Sequence, residues 1–142
     1  MIVDPPIPFK KRVTLRIPLF SGTVQAGFPS PADDHLDKTL DLNEHLVSNP
    51  ASTFFVKAKG DSMKDAGIQS GDLMIVDRSI APKDRQIVVA MLDGEFTVKR
   101  LRRKQGQVYL VAENQAFQPI EITEEQELII WGVVTFVIHQ PQ

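Results

Sequence analysis

Short apolar runs separated by turn residues dominate the chain from residue 53 onward. They cover residues 53–59, 73–76, 87–92, 95–101, 108–111 and 128–138. Runs of this length, bounded by Gly, Asp and Ser, are typical of β-strands. Asp93-Gly94 separates two of them and predicts a tight hairpin, while Gly132 predicts a bulge in the last one. The pattern therefore predicts a mainly β, mostly antiparallel fold for this part of the chain.

The first 31 residues follow a different pattern. Six of the ten prolines fall there, at Pro5, Pro6, Pro8, Pro18, Pro29 and Pro31. Proline lacks a backbone N–H and has a fixed φ, so this density argues against a long helix. We therefore predict an extended N-terminal arm over residues 1–31 and a compact β domain over residues 32–142.

A short helix is predicted between the arm and the strands. Asp41 or Asn43 is suited to cap its first turn. Asn49-Pro50 would end it, because the residue before a proline disfavours helical geometry. The apolar positions with loosely helical spacing are Leu36, Leu40 and Val47.

Charge is distributed unevenly along the chain. Residues 1–26 carry four basic residues and one acidic residue, net +3, whereas residues 27–142 carry 12 basic and 17 acidic residues, net −5. Affinity for phosphates comes mainly from accumulated Lys and Arg. The negative body therefore disfavours general nucleic-acid binding, and we expect protein partners.

Composition excludes several kinds of chemistry. The absence of cysteine excludes disulfides, thiolate catalysis and cysteine-based zinc sites. Proline and lysine interrupt the N-terminal apolar residues, so no secretory signal is expected, and no apolar run approaches the ~20 residues of a membrane helix. A glycine-rich phosphate loop is missing as well. We therefore expect a cytoplasmic protein that uses no cofactor or metal.

Ser62 and Lys99 are the candidate catalytic residues. Gly60-Asp61-Ser62-Met63 follows one predicted strand, and Lys99 lies within another. A serine can attack a peptide bond when a base removes its proton, and a lysine becomes such a base when burial lowers its pKa. Strand alternation places Lys99 on one face with Thr97 and Leu101, which permits burial. Each residue also has an ordinary interpretation, as a turn serine and as a solvated surface lysine.

Histidine offers a second kind of site. His35 stands beside two aspartates, whereas His45 and His139 are isolated. A Ser-His-Asp or zinc site needs companions at defined spacing, which these residues lack. The cluster Arg102-Arg103-Lys104 is interpreted as the solvated end of a hairpin, with nucleic-acid contact as the weaker alternative.

Six ordered motifs resemble the LexA-type family of self-cleaving serine–lysine proteases, and within it the UmuD/MucA branch of accessory subunits of bacterial error-prone DNA polymerases. The resemblance extends from about residue 17 to residue 137. The motifs are Pro18-Leu19-Phe20, Gln25-Ala26-Gly27-Phe28-Pro29-Ser30-Pro31, Asp41-Leu42-Asn43, Gly60-Asp61-Ser62-Met63, Gly71-Asp72-Leu73-Met74-Ile75-Val76-Asp77 and Asp93-Gly94-Glu95-Phe96-Thr97-Val98-Lys99. Together, at compatible spacing, they are far more specific than any one of them.

The resemblance implies a small β domain similar to those of LexA and signal peptidase, with the catalytic pair in a cleft that receives the arm. Ser62 would be the nucleophile, Lys99 the general base, and Ala26–Gly27 the scissile bond. LexA carries a helix-turn-helix domain before its cleavage site, for which the 26 residues that precede Gly27 are too few. The resemblance therefore implies no sequence-specific DNA binding.

The resemblance also implies partners. A RecA filament on single-stranded DNA would promote cleavage in the SOS response to DNA damage. The product beginning at Gly27 would then serve a UmuC-like catalytic subunit in translesion synthesis. A homodimer is favoured too, and the apolar run 128–138 offers edge and face area for a second copy. Pro18-Leu19-Phe20 has two interpretations, a contact for the replication sliding clamp or packing on the body.

Two other functions are compatible with these residues. A signal-peptidase-like enzyme shares the serine–lysine chemistry but needs a membrane anchor, which the sequence lacks. A non-enzymatic polymerase-binding adaptor with an unused Ser62–Lys99 pair stays open. So does the choice between cleavage of the arm by its own body and cleavage by the body of a dimer partner.

Overall fold

The computed structural model describes residues 1–3, 5–10, 16–20 and 36–142. These residues form two compact units, one of Met1–Phe9 with Asn49–Gln142 and one within Lys10–Ser48. The boundary expected at residue 31 and the scissile pair Ala26–Gly27 lie outside the described residues. Both therefore stay predictions.

Strands make up about half of the described chain, and every strand pairing is antiparallel. The strands are β1 (Ile2–Val3), β2 (Ile7–Pro8), β3 (Arg16–Phe20), β4 (Leu36–Asp41), β5 (Thr53–Lys59), β6 (Leu73–Asp77), β7 (Ile87–Leu92), β8 (Glu95–Lys104), β9 (Gln107–Val111), β10 (Ile120–Glu121) and β11 (Leu128–Ile138). One short helix, α1 (Leu42–Leu46), and two 3₁₀ turns, Pro50–Ser52 and Lys64–Ala66, complete the elements. The predicted mainly β, mostly antiparallel fold class is confirmed.

The larger unit contains one sheet that closes on itself. Its strand order is β1-β5-β6-β11-β7-β8-β9-β10, with β2 added to β5. The short strand β1 pairs with β5 on one side and with β8 on the other. This double pairing closes β5, β6, β11, β7 and β8 into a ring. The sheet thereby brings the end of β5 and the middle of β8 to either side of β1.

Two apolar clusters fill this unit. The cluster beneath β1, β5 and β8 is the one that supports the candidate site, and the other lies against β9 and β11. Completely buried members of the first cluster are Ala58, Met63, Ile68, Met74, Val76, Val89 and Val98. Because Met63 directly follows Ser62, its burial anchors the candidate nucleophile to the core.

The hairpin and bulge predictions for the larger unit are confirmed. Asp93 and Gly94 have φ angles of 50° and 85° between β7 and β8, as a two-residue hairpin turn requires. The pairing of β11 with β7 shifts register between Ile130 and Gly132, which is a β-bulge.

The prediction that the last apolar run offers a free strand edge to a second copy is wrong. Strand β11 lies between β6 and β7, so hydrogen bonds to both neighbours use both of its edges. Only its faces are available to a partner, at Ile129, Phe136 and Ile138, which are each about 40–45% exposed.

The smaller unit corrects the helix prediction in part. Leu36 and Leu40 lie in β4, which pairs with β3, and not in a helix. A spacing of four residues fits strand alternation as well as a helix face, and pairing with β3 decides between them. Helix α1 begins after Asp41, whose side chain accepts a hydrogen bond from the Asn43 N–H at 3.0 Å. The predicted Asp41 cap is therefore confirmed.

Within the described residues, none of the helices has the length and apolar character to cross a membrane.

Candidate active site

A tight loop carries Ser62 at the end of β5. Gly60 starts it with φ of 97°, a conformation that favours glycine, and its N–H donates to the Ser70 hydroxyl at 3.1 Å. Ser62 is 2% exposed and the Met63 side chain is completely buried. Because residues on both sides are held, the Ser62 hydroxyl has a defined position at the edge of the sheet.

Strand β8 brings Lys99 to this hydroxyl. The Lys99 Nζ lies 3.2 Å from Ser62 Oγ, 3.1 Å from Thr97 Oγ1 and 3.2 Å from the Val98 carbonyl oxygen. Three acceptors match the three N–H groups of an ammonium. The prediction that Thr97 and Lys99 lie on the same face of the strand is confirmed. The interpretation of Lys99 as a solvated surface lysine is wrong, because Lys99 is 7% exposed.

Burial changes the proton affinity of Lys99. Loss of hydration lowers its pKa below that of an exposed lysine, and a hydrogen bond with the Met1 α-amino group opposes this in part. The pKa of that α-amino group is itself lowered to about 5, first by burial and then by Lys99. Two amines are thus buried side by side, and desolvation favours their neutral forms.

The chain's own first residues occupy the space beside the pair. We call the space between β5 and β8 the strand groove, and β1 lies in it. The Met1 carbonyl oxygen accepts hydrogen bonds from Thr97 Oγ1 at 3.0 Å and from the Val98 N–H at 3.2 Å. The strand groove therefore binds an extended segment through main-chain hydrogen bonds, next to Ser62.

A pocket of about 230 Å³ opens at the end of the strand groove. It is lined by Met1, Lys59, Gly60, Asp61, Ser62 and Phe117. Phe117 is 45% exposed, so the pocket has an apolar wall open to solvent.

Sequence reasoning missed two parts of this site. Residues 1–3 carry no periodic pattern that would assign them to the sheet, and Asn114 lies far along the chain. The Asn114 side-chain amide donates to the Asp61 carbonyl oxygen at 2.9 Å, directly before Ser62. Nothing in the local sequence around either segment indicates a role beside Ser62.

The other sequence candidates lie in separate places. His139 Nδ1 is 2.6 Å from Asp72 Oδ1, a contact that attaches the C-terminal residues to the turn before β6. His35 is outside the described residues, and His45 lies in α1. Among the residues that the structure describes, no three metal-ligating side chains converge.

The basic cluster after Lys99 packs on its neighbours. Arg102 Nε is 3.3 Å from Asp84 Oδ1, and the Arg103 N–H donates to the same oxygen at 2.7 Å. Arg103 also donates through Nη1 to the Pro82 carbonyl oxygen at 3.1 Å. These contacts therefore connect β8 to the loop before β7.

Comparison with known proteins matches the amino-acid sequence of this chain to a family of peptidases. The model of the Peptidase S24-like family matches residues 18–135. Protein ImpA of Salmonella typhimurium is 46% identical over 129 residues, which cover 87% of this chain and 83% of the relative. Protein MucA of Escherichia coli is 41% identical over 120 residues, which cover 84% of this chain and 82% of the relative.

The chain therefore belongs to the S24-like peptidase family, and its resemblance to the UmuD/MucA branch of LexA-type proteases is confirmed. The LexA repressor of Ectopseudomonas mendocina is also similar, with 41% identity over 120 residues. Those residues cover 84% of this chain but 58% of that repressor.

Proposed function

We propose that this protein is a self-cleaving serine protease that cuts its own chain between Ala26 and Gly27. The observation that carries the proposal is the 3.2 Å separation of Lys99 Nζ and Ser62 Oγ in a buried site. A serine hydroxyl and a desolvated amine at hydrogen-bond distance are a nucleophile and its base. Membership of a peptidase family supports the same chemistry.

The reaction begins when Lys99 is neutral. Its two N–H groups then donate to Thr97 Oγ1 and the Val98 carbonyl, and its lone pair accepts the Ser62 O–H. Ser62 Oγ attacks the Ala26 carbonyl carbon as its proton passes to Nζ. The resulting Lys99 ammonium gives that proton to the Gly27 nitrogen as the C–N bond breaks. Water then attacks the Ala26 ester on Ser62 while Lys99 takes a proton from that water, and Lys99 returns the proton to Ser62 Oγ as the ester C–O bond breaks.

Backbone N–H groups supply the second requirement, which is to stabilise the negative oxygen of the tetrahedral intermediate. The Ser62 N–H is the candidate donor. Among the described residues, the Ser62 N–H has no hydrogen-bond acceptor. It is therefore free to bind an oxygen of the docked substrate.

Docking of the scissile segment is the step that an activator can control. Gln25-Ala26-Gly27 would need the strand groove, which β1 occupies in this structure. Because substrate and enzyme are one chain, the rate depends on how often the segment displaces β1. We propose that a RecA filament on single-stranded DNA favours the displaced state after DNA damage and contributes no catalytic group.

The proposed product is a homodimeric body that begins at Gly27 and serves a UmuC-like polymerase subunit in translesion synthesis. Its similarity to ImpA and MucA supports this assignment. The exposed apolar residues on the faces of β11 are available for a second copy. A contact of Pro18-Leu19-Phe20 with the sliding clamp belongs to the same proposal.

The mass of the purified chain tests the chemistry. After incubation at alkaline pH, where Lys99 is neutral without an activator, we expect two new species that correspond to residues 1–26 and 27–142. The adaptor hypothesis expects the full-length mass to persist under the same conditions, with dimerisation and polymerase binding intact.

Gly27→Glu is expected to slow cleavage at least a hundredfold while Ser62 and Lys99 are unchanged. A charged side chain beside the scissile bond must be desolvated in the strand groove and obstructs close approach of the backbone. Mass spectrometry of timed samples measures the rate. Thr23→Glu adds the same charge four residues away and is the matched control. Processing of Gly27→Glu at the wild-type rate would show that the scissile bond lies elsewhere.

Val3→Asp is expected to raise the rate of cleavage several-fold. Val3 packs against the apolar cluster beneath β1, so a carboxylate there weakens the binding of β1 in the strand groove. Ile7→Asp introduces the same charge on β2, where Ile7 is 64% exposed, and should leave the rate unchanged. If Val3→Asp is as stable as wild type and cleaves at the same rate, the hypothesis that β1 and the scissile segment compete for the strand groove is contradicted.

A further inference from the structure

The peptide unit between Asp61 and Ser62 is held from one side. Its carbonyl oxygen accepts hydrogen bonds from Asn114 Nδ2 at 2.9 Å and from the Lys64 N–H at 3.2 Å. Asn114 is 8% exposed, so its amide has exchanged water for this contact. A hydrogen bond from a buried amide to a carbonyl oxygen is strong in such surroundings, because water does not compete for either partner.

The geometry of a trans peptide transmits this contact to Ser62. The carbonyl oxygen of one residue and the N–H of the next point in opposite directions across a planar unit. An amide that fixes the Asp61 oxygen therefore also fixes the direction of the Ser62 N–H, away from Asn114. The pocket beside the strand groove is lined by Asp61 and Ser62, and Asn114 is not among its lining residues.

Asn114 is itself placed by the chain that follows β9. Its Oδ1 accepts a hydrogen bond from the Ala116 N–H at 3.0 Å, which is independent of the contact to Asp61. The neighbouring Glu113 carbonyl oxygen accepts from the Asp65 N–H at 2.8 Å. Residues 113–114 thus form a rigid support for the loop that bears the nucleophile.

We propose that Asn114 is a positioning residue, which directs the Ser62 N–H toward the oxygen that becomes negative during cleavage. The inference rests on the proposed self-cleavage and adds a residue to it. Asn114 does not touch the reacting atoms. It acts through the Asp61–Ser62 peptide, so its loss lowers the maximal rate without changing the proton affinity of Lys99.

Two substitutions separate positioning from simple support of the loop. Asn114→Asp keeps an oxygen that accepts from Ala116 but loses the donor to Asp61, whereas Asn114→Ala loses both contacts. We expect both variants of the full-length chain to cleave roughly ten- to a hundredfold more slowly at the high-pH plateau, because a misdirected oxyanion donor loses much of its effect. The pH at half-maximal rate should stay at the wild-type value in Asn114→Ala.

Asn49→Ala is the matched control. It removes another side-chain amide donor, which contacts Asp77 Oδ2 at 2.8 Å in a separate network. This variant should keep the wild-type plateau. A wild-type plateau rate in Asn114→Asp would overturn the proposal. So would a variant whose cleavage is slow at lower pH but reaches the wild-type rate once the pH is raised, because Asn114 would then act through Lys99. Failure of wild type and Asn49→Ala to cleave would overturn the proposed function, and the role of Asn114 with it.

Discussion

Ser62→Ala is expected to abolish cleavage, with a loss of roughly a thousandfold or more, as for other nucleophile deletions. The fold should be retained. Lys99 keeps two of its three acceptors, Thr97 Oγ1 and the Val98 carbonyl, so the buried amine is still hydrogen-bonded. Intact mass after incubation at high pH or with RecA filaments measures the cleavage, and thermal unfolding measures the fold.

The control for this prediction is Ser52→Ala. Ser52 donates its hydroxyl to Asp77 Oδ1 at 2.9 Å, away from the strand groove's hydrogen bonds, and its loss should leave cleavage unchanged. Cleavage of Ser62→Ala at the wild-type rate would remove Ser62 from the mechanism and leave the buried Ser62–Lys99 contact without a catalytic role.

Lys99→Met is the second change with a very large expected effect, and its loss of cleavage should match that of Ser62→Ala. The wild-type rate should rise with pH, because deprotonation of Lys99 creates the base, and should reach half its maximum below the 10.5 of an exposed lysine. While β1 occupies the strand groove, burial and Lys99 lower the pKa of the Met1 α-amino group to about 5, so this amine is neutral over that range. Timed intact-mass measurements from pH 7 to pH 11 give the profile.

Stability separates loss of the base from loss of the fold. Since the pKa of Lys99 is lower in the folded than in the unfolded chain, the unfolded state binds more protons between the two values, and stability rises with pH there. Methionine keeps the apolar stem and removes the desolvated amine, so the melting temperature of Lys99→Met should stay within about 4 °C of wild type. Lys57→Met, at an exposed position of β5, is the matched control. A flat pH profile in wild type would argue against a titrating lysine.

Local sequence pattern predicted the strands that form the body of the sheet. The runs 87–92 and 128–138 correspond to β7 and β11 with the same bounds, because each is apolar, long enough and bounded by turn residues. Asp93-Gly94 predicted its hairpin because few other pairs adopt two consecutive positive φ angles. The meeting of Ser62 and Lys99 followed from resemblance to a family, since neither residue has a local signal that distinguishes it from a surface residue.

Contacts between distant segments could not be predicted in this way. Strand β1 has two residues, too few for a period, and its place depends on both β5 and β8. Asn114 meets Asp61 only after β9 has folded against β8. The assignment of Leu36 and Leu40 failed for the same reason, because pairing with β3 overrides a spacing that two structures share.

In the proposed mechanism, the double pairing of β1 makes docking of the scissile segment an exchange of one strand for another. The two competitors belong to the same chain when a body cuts its own arm, so dilution or concentration of the protein favours neither of them. Hydrogen bonds lost by the strand that leaves are remade by the strand that enters, and the two states differ in free energy mainly by side-chain contacts. In that mechanism, an outside protein that holds residues 1–3 away from β8 favours docking of the scissile segment, and this protein need not touch Ser62 to start the reaction.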